Sequence, residues 1–222
     1  MRSRFDDQLD VLNTAMITMG SLCEQAIATA AKALAEGNAH LAKEVADLSE
    51  QIDQKEREIE GMCLKLLLQQ QPVAKDLRTI SSALKMITDM ERIGDQADDI
   101  AEIVSMDHLR PMDETEDIRE MARAAIRMVT QSVDAFVKKD LEIAHGVIAD
   151  DDFVDQCFDR VKDTLIQRFS MPEYDGEITL DLLMIAKYFE RIGDHATNIA
   201  EWVIFSITGN REGNRYDFLC GR

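Results

Sequence analysis

The pentapeptide ERIGD stands twice in this chain, at residues 91–95 and 190–194, and each copy opens a longer echo. ERIGDQADDIAE and ERIGDHATNIAE agree at nine of twelve positions at a constant offset of 99 residues. Upstream, LAKEVADLSEQID at 41–53 aligns with IAHGVIADDDFVD at 143–155 at an offset of 102. A repeat of about 100 residues is too long for a solenoid unit and suits a small three-helix domain. The chain is therefore predicted to be all-α, with two tandem, pseudo-symmetric three-helix bundles.

The apolar period supplies the six helices. Leu9, Leu12, Met16, Met19, Cys23, Ala26, Ala30 and Leu34 step by three or four, the stripe of one amphipathic helix ending near Gly37. Asn38 is placed to cap a second helix, whose stripe runs from Leu41 to Leu66 until QQQP at 69–72 breaks it. A third spans about 73–105. After a proline-containing lapse at 108–113, the stripes of Met121 to Phe136 and Ile143 to Leu165 mark two more, and Leu180 to Thr208 the sixth, stopped by Gly209. These boundaries give a first repeat over 1–107, a linker at 108–113, a second repeat over 114–209 and a loosely ordered tail at 210–222. Three prolines and ten glycines in 222 residues agree with long helices and short connections.

Charge narrows the function. A formal net charge of −18 would repel a nucleic-acid backbone and anionic lipid, so nucleic acid is not an expected partner. No stretch approaches the ~20 apolar residues of a membrane span, and the N-terminus lacks the apolar run of a signal peptide. The four cysteines, Cys23, Cys63, Cys157 and Cys220, form no CxxC pair, and the first three fall on apolar helical positions. A cytoplasmic protein with reduced thiols is the expectation.

Within ERIGD, Glu91 and Asp95 lie four residues apart and project side by side on a helix, as do Glu190 and Asp194. The ridge continues through Asp98 and Glu102 in the first copy and Glu201, with Asn198 beside it, in the second. The preceding helix of each half offers Asp53 in the first and the pair Asp151 and Asp155 in the second. Clustered carboxylates without thiols suit Mg, Mn, Ca or iron better than structural zinc. The competing reading is a solvated acidic face on which Arg92 and Arg191 neutralise their neighbours. Gly94 and Gly193, each costing about 1 kcal/mol in mid-helix, point to a close neighbour at both motifs. By count of acids, Asp151, Asp155, Glu190 and Asp194 are expected to form the better metal site. Asp53, Glu91 and Asp95, with Ser49 where the second half has Asp151, are expected to form the weaker one. His195 reads as a peripheral ligand or an exposed helix histidine.

No glycine-rich phosphate loop, nucleophile elbow or HExxH site occurs, so no enzyme is expected. The alternative is a carboxylate-bridged metal enzyme or metal-storage bundle. Against a ferritin-like form of it, Glu142 and His145 alone show the Glu-x-x-His spacing, which that architecture uses twice.

RSRFDDQLDVLNTAMITMG at the start, QQPVAKDLRTI from Gln70, both ERIGD motifs, the second extended as ERIGDHATNIAEWVIF, and the closing ITG together resemble the PhoU family over residues 1–209. These are cytoplasmic accessory and signalling proteins of bacterial high-affinity phosphate uptake. The resemblance implies paired three-helix bundles and acidic motifs, here Glu91 with Asp95, Glu190 with Asp194 and Asp151 with Asp155, that bind divalent or trivalent ions such as Fe, Mn, Mg or Zn. It also implies negative regulation of the phosphate-starvation response, by an adaptor between the ATPase subunit of the phosphate ABC transporter and the phosphate-sensing histidine kinase. Membrane association would then come through partners alone, and a homodimer is compatible with the family.

Overall fold

In the computed structural model, residues 2–70, 72, 75–106, 109 and 116–210 are described. They form six helices and no strand: α1 (Arg2–Glu36), α2 (Ala39–Gln70), α3 (Lys75–Ser105), α4 (Glu116–Lys138), α5 (Leu141–Phe169) and α6 (Gly176–Thr208). Of the 108–113 segment only Leu109, which is buried, belongs to the described residues, and residues 211–222, with Cys220, lie outside them.

Each short link turns by the same device. Gly37 adopts φ 60°, and the Asn38 side chain then accepts hydrogen bonds from the backbone N–H of His40 (3.0 Å) and Leu41 (3.4 Å). At the offset of 102, Lys139 adopts φ 54°, and Asp140 accepts from the N–H of Glu142 (2.9 Å) and Ile143 (3.1 Å). A left-handed residue ends one helix and a side-chain oxygen starts the next. Gly209 closes α6 at φ 83°, its N–H bonded to the Phe205 carbonyl at 2.8 Å. The start of α6 differs from the sequence expectation, because Asp175 caps it at Gly176 through the Glu177 N–H.

Helices α1, α2 and α3 pack on one another, as do α4, α5 and α6. The two bundles meet through equivalent helices, α1 on α4 and α3 on α6. The predicted stripes are the core: Leu12, Met16, Met19, Cys23 and Ala30 in α1, Ile93, Ala97 and Ile100 in α3, and Phe189, Ile192 and Ala196 in α6 are fully buried. Cys23, Cys63 and Cys157 are buried free thiols.

The ERIGD glycines face the preceding helix of each bundle, tightly at Gly94 and at ordinary contact distance at Gly193. A Cβ at Gly94 would lie 3.0 Å from Ile52 Cδ1, and one at Gly193 would lie 3.5 Å from Val154 Cγ1. Ile52 and Val154 are equivalent across the offset of 102, so both bundles use the same contact. It places the acids of α2 beside those of α3, and the acids of α5 beside those of α6.

Candidate functional site

The α2–α3 contact assembles three carboxylates. Asp53, Glu91 and Asp95 each offer an oxygen, and these atoms all lie within 4.8 Å of one another. Oδ1 of Asp53 is buried without a hydrogen-bond partner, while Oδ2 lies 3.4 Å from the exposed Arg57 guanidinium. Burial, followed by repulsion from Asp95, Glu56 and Asp53, pushes the Glu91 carboxyl above the usual carboxylate range. Burial and then Asp53 and Asp99 do the same to Asp95. An unpartnered oxygen amid mutually repelling carboxylates fits a hard divalent cation, which would supply the missing charge.

The second site gathers its acids less closely. Burial, then Asp194 and Asp155, push the Asp151 carboxyl up to about 6. Burial followed by Glu190 raises both Asp155 and Asp194. Yet Lys187 Nζ lies 2.5 Å from both oxygens of Glu190 and stands 5.4 Å from the Phe158 ring centroid. Among the described residues, no three of these four acids converge as the first-half acids do. Counting acids favours this second site, whereas it is the first-half acids that converge among the described residues. Lys187 is a counter-ion on Glu190, and its equivalent in the first half is the neutral Thr88. In the first group the cationic neighbour is Arg57, which faces Asp53 Oδ2 and leaves Oδ1 without a partner.

The outer residues divide. Asp98 continues the first ridge, raised by burial and then by Asp99 and Glu102, and Glu102 itself is exposed. Glu201 is half-buried two turns beyond Asp194. Asn198 belongs to a different structure: its Nδ2 lies 3.4 Å from Asp89 Oδ1, across the α3–α6 contact. His195 Nδ1 reaches the same oxygen at 2.9 Å. His195 is thus not an exposed histidine but a largely buried link between bundles. Sequence reasoning missed Asp89, although an acid in step with Met86, Met90 and Ile93 on the core-facing stripe was the available signal. It also missed Glu56, which receives the Thr88 hydroxyl at 3.4 Å beside the first site.

A third convergent group, Asp117, Glu120 and Cys157, already holds a cation. Arg160 reaches Asp117 at 2.7 Å, Glu120 at 3.4 Å and the Cys157 sulfur at 3.0 Å.

Comparison with known proteins agrees with this architecture. The PhoU domain family model matches residues 16–104 and again 118–203, one match per bundle. A Clostridium acetobutylicum protein named phosphate-specific transport system accessory protein PhoU homolog is 34% identical over 95% of this chain and 97% of its own. A Synechocystis protein of the same name is 35% identical, covering 95% and 94%. The crystal structure of PhoU from Pseudomonas aeruginosa superposes with a TM-score of 0.86 at 32% identity, over 93% of this chain and all of that one. Two domain matches on two equivalent bundles, with relatives aligned nearly end to end, place the chain in the PhoU family.

Proposed function

We propose that this protein is a regulatory accessory protein of phosphate transport. When phosphate is plentiful it links the ATPase subunit of the phosphate ABC transporter to the phosphate-sensing histidine kinase and holds the starvation response off. The observation that carries this reading is the near full-length likeness to accessory proteins of the phosphate-specific transport system, in sequence and in fold. The role is one of binding without turnover, exercised in the cytoplasm. No described helix is long and apolar enough to cross a membrane, which suits attachment through partners.

Metal binding is the second part of the proposal. Asp53, Glu91 and Asp95 hold a divalent cation with water completing its six or more oxygen ligands, and Asp151, Asp155, Glu190 and Asp194 hold one more weakly. A bound cation converts a repelling acidic patch into one able to bridge to acidic or polar partner groups. The test is affinity capture of the tagged protein from cells grown with ample phosphate. Recovery of a transporter ATPase or a sensor kinase supports the adaptor; recovery of neither, together with metal-dependent redox or hydrolytic turnover, supports an enzyme or storage bundle instead.

A further inference from the structure

Arg92 and Arg191 hold the same place in the two copies of ERIGD, and they line one cleft of about 620 Å³ where α3 meets α6. Each repeat thus contributes one guanidinium to a shared cavity. Neither forms an ion pair among the described residues. Asp89 and Asp95 stand three residues from Arg92 and Asp194 three from Arg191, while Arg191 acts on Asp99 and Arg92 on Glu91 at longer range, so neither guanidinium is tied to one carboxylate. In a chain of net charge −18 the lining of this cleft sets two guanidiniums against one acid, Asp194, among the described residues. Gln96, His195 and Asn198 also line it. His195 and Asn198 are anchored through Nδ1 and Nδ2 to Asp89, so part of the wall is fixed before any ligand arrives.

We propose that this cleft binds a small phosphoryl-bearing anion, gripped by Arg92 from one repeat and Arg191 from the other. A guanidinium presents a planar fork that satisfies two oxygens at once, and one fork is enough for a planar carboxylate. Two forks from different helices suit a tetrahedral group, whose oxygens diverge and can meet both. The volume lies within the ~300–1,000 Å³ of small-molecule sites, so free orthophosphate fits and a phosphorylated metabolite fits more fully. The site shares Asp194 with the second carboxylate group, and it does not depend on the regulatory reading.

The experiment is calorimetric titration of the full chain, stripped of metal with EDTA, at about 0.15 M salt, where charges beyond ~8 Å are screened. Orthophosphate, pyrophosphate and ATP are the probes, with succinate as the carboxylate control. We expect at least one phosphoryl compound to bind once per chain and more tightly than succinate. Arg92→Gln and Arg191→Gln should each weaken it at least tenfold, with helical content unchanged by circular dichroism. The doubly substituted Glu91→Gln/Asp95→Asn protein, which loses two acids of the first carboxylate site but keeps Asp194 and both arginines, should bind as well as the parent or better, separating direct anion binding from binding through a metal. Preference for orthophosphate identifies the free anion as the ligand, and preference for pyrophosphate or ATP a phosphorylated metabolite. Absence of binding at millimolar concentration, binding unaltered by the paired arginine substitutions, loss of binding with the carboxylates, or equal binding of succinate each overturns the proposal.

Discussion

His195 Nδ1 on α6 lies 2.9 Å from Asp89 Oδ1 on α3, and this bond joins the two bundles at positions that the repeat does not equate. The counterpart of Asp89 is Tyr188 and that of His195 is Gln96. The helix pair is repeated between the halves, and the polar link across it is not. Asp89→Ala strips the acceptor from two largely buried donors, His195 and Asn198. We expect a loss of about 1–3 kcal/mol in the free energy of unfolding, measured by urea denaturation. A loss no larger than that of an exposed acid, such as Asp152→Ala, would show that the link contributes nothing to stability.

The two glycines should respond differently to alanine. Each substitution gains about 1 kcal/mol of helix propensity. At Gly193 the new methyl meets Val154 Cγ1 and Asp151 Oδ1 at an ordinary 3.5 Å. At Gly94 it meets the buried Ile52 at 3.0 and 3.3 Å, which forces a shift in a packed core. Gly193→Ala is therefore expected to raise the melting temperature and Gly94→Ala to leave it unchanged or lower it. The opposite order in thermal melts would contradict the packing described here.

Stability should fall as pH rises through the mildly acidic range. Asp151 has its folded-state value raised from 3.8 to about 6, by burial first and by Asp194 and Asp155 next. A carboxyl raised on folding holds its proton longer in the native state, so its contribution is complete below its unfolded value and is lost as pH climbs through about 6. Glu91, Asp95, Asp155 and Asp194 are raised too and act in the same direction. Because Asp151 is only half-buried, its share is discounted to about 1 kcal/mol. Urea midpoints without metal should decline from pH 4 to pH 7, and Asp151→Asn should flatten the decline.

A cation should reverse that loss, chiefly through the first site. Manganese or magnesium added at pH 7 relieves the repulsion and stabilises the native state by linkage. Glu91→Gln/Asp95→Asn is expected to remove most of the cation-dependent rise in melting temperature, and Glu190→Gln/Asp194→Asn less, because Lys187 already serves Glu190. Equal rises in the parent and in both variants would mean that the acids are a solvation device.

Much of the fold was legible in the sequence because the code there is local. Apolar residues stepping by three or four mark a helix face, Asn38 marks a helix start, and a duplicated motif marks a duplicated unit. The start of α6 was read four residues late because Gly176 resembles a breaker; Asp175, which caps it, was the better signal. The acids of the site were visible as a recurrent pattern on aligned helices. Their grouping was not, since it depends on Lys187 reaching along one turn to Glu190 and on Asp53 meeting Glu91 from another helix. Counting carboxylates gives the ligand supply, whereas packing decides which of them have a partner already. The α3–α6 contacts of Asp89 and His195 were the least legible, because they connect residues 106 positions apart with no periodic trace.

The regulatory role is tested most directly by deleting the gene in its own organism, in a strain lacking any second family member, and following a phosphate-starvation reporter during growth in phosphate-rich medium. The reporter is expected to turn on despite ample phosphate and to be silenced again by the restored wild-type gene. A reporter that stays off in the deletion strain, and rises normally when phosphate is withdrawn, would contradict that role.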